Sequence, residues 1–584
     1  MSTIPSLTEE VQAVRNSVGY WFRDDYTFVR VTGADAASWL HSQTTNDVEG
    51  LASGQGQHSA VLDRQGRVHG HFTLHRWDDE YWMLIENAQV AHVLEHMKER
   101  LFIEDVQLSN AGADLEQFIL QGPKTLALLS SAMDTDAARG SALLPTEWYG
   151  VHPVEVLEQE VLAVRLSMTG EDGYVFIGEP GQCAAIGQQL REIDETIKVV
   201  AITPDAQSVL RVEAGIPRYG LDMNQKSLLP ETTLERSTVS YEKGCYLGQE
   251  VVARLKAYGT VKRALMGLVF EAYDAHDLTW APGDSVQVDD KVIGELASIL
   301  YSPTLEKHIA LAYLDRDHRT PDTVLSIHGY GYSNPCGARV VVLPFVEAPT
   351  REDRAATLYN DALDLFQQDL DDTDASAIPM LQEAILLHPT YEDAYEVLGV
   401  ILHRHHRVDE AIYYMNHLKA LNPNCIMAHT NLSVFYVAKG MIQEAEEAKA
   451  QSAVLQMQHL SDTRKAKEMA EEERARIQAE AKERIGMFQE VLEIDPDDPV
   501  ATFGLGKCYM QLNQYADAIP HLAHATQVQK DFSAAYLDLG KCHEFLEQPD
   551  EAKTTYTDGI AIASRKGDLM PLREMERRLK GLHG

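Results

Sequence analysis

Cysteine is scarce: the 584 residues hold six, at Cys183, Cys245, Cys336, Cys425, Cys508 and Cys542. No two form a C-x-x-C pair, which excludes a zinc ribbon or a self-contained iron–sulfur site, since both need clustered thiolates. No stretch approaches the roughly 20 consecutive apolar residues of a membrane span. The opening MSTIPSLTEEVQAVRNS lacks the basic start and apolar run of a secretory signal. Free thiols without an export signal make the reducing cytosol the expected compartment, and no membrane partner is expected. Basic residues are also few, 51 against 89 acidic, for a net charge of −38. Such a surface repels nucleic acid and anionic lipid at long range, so no stable nucleic-acid complex is expected. At 45 % hydrophobic and 24 % charged residues the composition is that of folded domains. The length calls for more than one domain.

Two regimes follow one another. Up to about residue 345, short β-branched runs such as Val161 to Leu166 and Leu265 to Phe270 alternate with amphipathic helices and Gly/Pro turns. After the segment VEAPTREDR the strands cease and helix formers dominate. Small residues then recur at one spacing: Gly399 with Ser433, Ala411 with Ala445, Gly506 with Gly540, Ala518 with Ala552, and Pro389 with Pro423. That spacing of about 34 residues is the tetratricopeptide period, small residues marking the places where the two helices of a repeat touch. Repeats are expected at 391–424, 425–458, 499–532 and 533–566. Cys508 and Cys542 share one repeat position and read as small buried helix residues. Asp462 to Arg484 reads as a solvated helix with pairs Glu472–Arg476 and Glu480–Arg484.

Three segments of the first regime carry polar residues in patterns suited to a site. A helix over Asp35 to His41 feeds the polar turn Gln43, Thr44, Asn46 and Asp47, followed by two strands meeting near Asp63 to Gly66. SMTGEDGYVFI places Thr169, Gly170, Glu171 and Gly173 between apolar strands. The third segment runs from LRVEAGIPRYGLDM to EKGCYLGQEVVARLKAYG. T-G-E-D-G-Y and R-V-E-A-G-I-P-x-Y-G-x-D resemble the family of the folate-binding T-protein (aminomethyltransferase) of glycine cleavage. K-G-C-Y-x-G-Q-E is similar to the mark of its YgfZ-type branch.

That resemblance implies an α+β three-subdomain module around a central cavity for the pterin of tetrahydrofolate, ending in a small β-barrel. The expected division is 1–264 for the folate-binding domain, 265–347 for the barrel, 348–353 for a linker and 354–584 for an all-α tetratricopeptide solenoid that takes peptide or helix ligands. By resemblance, Glu171 and Arg211 line the folate cavity, with Asp47, Tyr219, Lys243 and Gln249 as further binding candidates. A carboxylate suits the aminopyrimidine edge of a pterin, and a guanidinium forks to a carboxylate. One departure stands out. Where aminomethyl-transferring members carry paired aspartates, this chain reads Gly66-Arg67-Val68-His69-Gly70-His71, without a carboxylate. The acid/base group of that reaction is missing. Strict alternation would set His69 and His71 on one strand face as the substitutes.

Cys245 lies between Gly244 and Tyr246, with five basic residues from Lys243 to Arg263 against Glu250 alone. Basic surroundings activate a thiol for attack, disulfide exchange or soft-metal binding, so Cys245 is the candidate reactive residue. In the YgfZ branch the equivalent cysteine implies a role in iron–sulfur protein assembly or repair, indirectly in tRNA modification, with iron–sulfur carrier or client proteins as partners. One thiolate cannot hold a cluster alone, so the consistent form is a cluster shared across an interface. A folate-dependent one-carbon transferase or demethylase, and a non-enzymatic repeat scaffold, are the alternative readings.

Overall fold

The computed structural model describes residues 5–258, 261–271, 281–288, 291–327, 336–367, 371–566 and 568–582. Three sheets build the first regime. A six-stranded sheet runs in the order Val199–Ala201, Val18–Phe22, Glu116–Gln121, Gly173–Gly178, Gln159–Arg165, Val151–Val156. Its strands read as near-continuous apolar runs because both faces are covered, one by Phe118, Leu120, Tyr174 and Phe176 with their partners, the other by Trp21, Ile119, Val164 and Val175 with theirs.

A five-stranded sheet follows the order Gly56–Leu62, Val68–Trp77, Glu80–Glu86, Tyr26–Thr32, Gln107–Asn110. The third is the expected barrel. Ser285–Val288, Lys291–Ser302, Lys307–Asp315, Arg263–Phe270, Cys336–Val341 and Val324–Ile327 pair antiparallel in that order, and the two edge strands approach each other to leave it nearly closed. Its interior is Leu268, Phe270, Leu296, Leu314, Ile327 and Val340. Residues 272–280, 289–290 and 328–335 of the expected barrel lie outside the described residues.

The helices after 350 keep the period read from the sequence. Glu392–Arg404 and Val408–Leu421 are followed by Ile426–Lys439 and a helix opening at Ile442. Pro499–Gln511 and Tyr515–Val528 are followed by Ser533–Phe545 and Pro549–Lys566. The glycines do what small residues in such repeats must. A Cβ on Gly399 would lie 2.7 Å from the Met415 methyl, on Gly506 2.6 Å from Leu522, and on Gly540 2.2 Å from Tyr556. Cys508 and Cys542 are buried. The charged segment lies in one long helix, Ile442–Ile494, and is largely exposed. Its ion pairs differ from those expected: Arg476 reaches Glu473 at 2.7 Å and Glu480 at 3.9 Å.

Two compact units divide the chain, Met1–Lys449 and Ala450–Gly584. In the first, the 348–353 segment is not a free linker: Arg351 opens the helix Arg351–Gln367 and is 6 % exposed. Its guanidinium holds the Asp172 carboxylate and donates to the Tyr174 hydroxyl at 2.7 Å. Lys124 pairs with Glu383 at 2.6 Å, and Tyr413 donates to Asp136 at 2.7 Å. One core joins Leu120, Leu126 and Phe176 to Leu381, Ile385, Leu398 and Leu418. The first repeat helices therefore complete the strand-rich module, and apolar burial rather than a tether sets the boundary. The second unit packs around Ala518, Leu522 and Cys542, and then Tyr556, Ala563 and Met575. No described helix is long and apolar enough to cross a membrane.

Candidate functional site

A cavity of about 660 Å³ is walled by the six-stranded and five-stranded sheets and the segments 204–218 and 233–237, within the range of small-molecule sites. Trp21, Phe72 and Tyr149 supply aromatic wall. Polar groups come from six stretches of chain: Arg23 to Tyr26, His58, His71, Glu86, Ser167 to Thr169, and Arg211 to Arg218. Arg211 lines the cavity as expected, but its guanidinium is spent on Asp222 at 2.6 Å, the Ile216 carbonyl at 2.7 Å and Ser298 at 3.0 Å. Glu86, almost fully buried, accepts from Arg218 at 2.7 Å, Tyr26 at 3.2 Å and Gln89 at 3.0 Å.

Glu171 is not in this wall. Buried in its turn, it takes Arg15 at 2.9 Å, while the same arginine holds Glu213 at 2.8 Å. Burial raises the Glu171 carboxyl above its ordinary value and outweighs the Arg15 charge. Its neighbour Asp172 is held below the usual range, burial being overcome by Arg351 and Arg165. Asp47 sits apart, 3.2 Å from the His41 ring. Tyr219 stacks on His92 with ring centroids 5.3 Å apart.

The motif from Lys243 to Glu250 is mostly a folding device. Lys243 is 9 % exposed and donates to the carbonyls of His41, Thr44 (2.8 Å) and Asn46 (3.0 Å), which end the Ala36–Gln43 helix and the polar turn after it. Burial brings its ammonium down to about 8 against the pull of Asp47 and Glu49. Tyr246 is core. Gly248, at φ +84°, seats on the Asp63–Gly66 turn, where a Cβ would lie 2.5 Å from the Asp63 carbonyl oxygen. Gln249 opens the helix Gln249–Tyr258. Cys245 is exposed and free. None of these residues belongs to the cavity wall.

The basic island is smaller than the sequence implies. Lys243 is consumed by carbonyls, Arg263 pairs with Glu231 at 3.2 Å and Glu295 at 2.6 Å, and Lys256 lies 3.7 Å from Glu235. Those carboxylates come from distant chain positions, so local charge counting missed them.

His69 and His71 do not share a site. A bulge breaks the register, pairing Val61 with Gly70 but Leu62 with Val68, so His69 is the extra residue and the alternation fails there. His69 stacks on His96 at 4.0 Å. His71 lines the cavity and meets His58, Nδ1 to Nε2, at 3.0 Å. Desolvation lowers His58 to about 3 and His71 to about 4, so both rings are neutral near pH 7. Among the described residues, four buried polar atoms of this wall lack a hydrogen-bond partner: Arg23 Nη1 and Nη2, His71 Nε2 and Ser167 Oγ. Sequence reading missed Arg23, His58, Glu86 and Arg218, which carry no motif and converge only in the fold.

Comparison with known proteins places this architecture. Residues 2–243 match the GCVT N-terminal domain, and residues 263–347 the glycine cleavage T-protein C-terminal barrel domain. The first 347 residues therefore carry the two domains of a glycine cleavage T-protein. Residues 479–522 match a tetratricopeptide repeat. The T-protein part is similar to the aminomethyltransferase of Thermoanaerobacter pseudethanolicus, 26 % identical over 313 residues that cover 53 % of this chain and 82 % of the relative. It is 29 % identical over 342 residues to that of Halalkalibacterium halodurans, covering 58 % and 90 %. The fold is shared with the glycine cleavage system aminomethyltransferase T from Bartonella henselae, with a TM-score of 0.50, 20 % identity and coverage of 59 % of this chain and 90 % of that one.

Proposed function

We propose that this protein is a folate-binding accessory factor, its T-protein module taking tetrahydrofolate in the cavity and its repeats holding protein partners by peptide or helix segments. The observation that carries this reading is the cavity itself, which joins aromatic faces for stacking a planar heterocycle to buried polar atoms left for a ligand's edge. The residues present fit a pterin. Arg23, His71 and Ser167 would hold its edges, and the bound folate would supply one-carbon chemistry to any reaction there. Aminomethyl transfer, the activity in the relatives' names, finds less support: the Gly66 to His71 stretch has no carboxylate, and Glu86 is already tied to three donors. Isothermal titration calorimetry of the full chain with tetrahydrofolate tests the reading. Saturable binding at one site is expected, and absence of heat at micromolar protein would refute it.

The exposure of Cys245 favours a narrower reading, in which the protein belongs to the YgfZ-type branch and serves iron–sulfur assembly by sharing a cluster with a carrier protein. Anaerobic co-purification with an A-type carrier should give cluster absorbance in the wild type and none in Cys245→Ala. Equal absorbance in the two would remove this role.

A further inference from the structure

The His58–His71 pair carries more than a neutral wall. Ser237, exposed at the rim, donates its hydroxyl hydrogen to the Leu234 carbonyl at 3.3 Å, a group that only accepts. Its lone pairs then face His58 Nδ1 at 3.1 Å, which makes that nitrogen the N–H of the His58 ring. His58 Nε2 is consequently bare and accepts from His71 Nδ1–H at 3.0 Å. A neutral imidazole carries one hydrogen, so His71 Nε2, the atom without a partner, is a lone pair. This polarity is set by the Ser237–Leu234 hydrogen bond; were Ser237 to donate to His58 Nδ1 instead, every link would reverse and His71 Nε2 would carry the hydrogen. Gln89 steadies this end by accepting from the His71 backbone N–H at 3.0 Å.

We infer that His71 selects the reduced form of a pterin ligand, its bare Nε2 accepting a hydrogen bond from a ring N–H that the oxidised form lacks. The inference rests on the folate reading and adds the oxidation state the cavity prefers. A tetrahydropterin bears hydrogen on both pyrazine-ring nitrogens, whereas in fully oxidised folate both are bare. Reduced ligand gives His71 a donor. Oxidised ligand sets lone pair against lone pair in a desolvated place, leaving two acceptors unpaired. Protonating His71 would make it a donor and remove the penalty, but burial holds the ring neutral and Glu86 is the acidic group facing it. His58 and Ser237 act as positioning residues that fix the tautomer.

Calorimetry with tetrahydrofolate and with folic acid, on the full chain, tests this. Wild type is expected to prefer tetrahydrofolate by about ten- to a hundredfold, the range for one mispaired buried group. His71→Gln, whose amide offers both a donor and an acceptor, should bring the ratio to within about threefold, and His58→Phe should reduce it partly. Nitrogen-15 NMR of the wild type gives an answer independent of how the variants fold. His71 Nε2 should resonate as a bare nitrogen in the free protein and shift on adding tetrahydrofolate but not folic acid. An unchanged ratio in His71→Gln, or an Nε2 that carries hydrogen in the free protein, overturns the inference and leaves the folate reading standing. If neither ligand binds, the folate reading falls, and the NMR result alone decides the tautomer.

Discussion

Lys243 and Cys245 stand two positions apart and do opposite things. The lysine gives its three hydrogens to three carbonyls of one turn and has none left for a ligand, whereas the cysteine faces solvent. Replacing Lys243 by Met should therefore destabilise the protein by about 2–3 kcal/mol, because buried carbonyls lose charged donors. Urea denaturation measures this, and a midpoint equal to wild type would contradict the assigned role. Cys245→Ser should leave the midpoint within about 0.5 kcal/mol of wild type, as exposed substitutions do. Sequence inspection ranked these two residues together because adjacency in the chain is all it can weigh. Which of two neighbours turns inward depends on the acceptors that the Ala36–Gln43 helix end brings to one of them.

Among elements, the strand Val68–Trp77 and the helix Arg351–Gln367 depart furthest from sequence expectation. Alternation along the strand was legible, but the bulge at His69 was not, since it arises from pairing with Gly56–Leu62. The 34-residue period was fully legible because helix-to-helix contact within a repeat is local in sequence. The seat of Arg351 was hidden, being made by Asp172 and Tyr174 far upstream. Replacing Arg351 by Met is expected to cost about 3 kcal/mol, the scale for breaking a buried ion pair from one side. Differential scanning calorimetry should show the loss in the transition of the Met1–Lys449 unit. Gly248→Ala forces a Cβ against the Asp63 carbonyl at a left-handed φ, and about 1–3 kcal/mol of destabilisation is expected from denaturant titration.

For the whole molecule, neutral buried histidines make acid the weak side. His58, His71, His75 and His96 are all depressed, to about 3 for the first and about 4 for the others. Their unfolded counterparts titrate near 6.5. Folded values below unfolded ones give stability that is complete above pH 6.5 and lost as pH falls toward 4, each group contributing up to about 1.4 kcal/mol per pH unit in that window. Denaturant midpoints from pH 7 to pH 5 should fall steeply, and less steeply in His71→Gln. The core shared by strands and the first repeat helices has a further consequence, which concerns how such a fusion can be undone. A chain stopped near residue 350 keeps every matched T-protein residue yet removes Leu381, Ile385 and Leu398 from the core they share with Leu120, Leu126 and Phe176. Such a fragment should aggregate in size-exclusion chromatography, while one ending at Lys449 stays monodisperse. The join works as a ratchet: with one apolar core spanning the strands and the first repeat helices, losing those helices is no longer a neutral deletion.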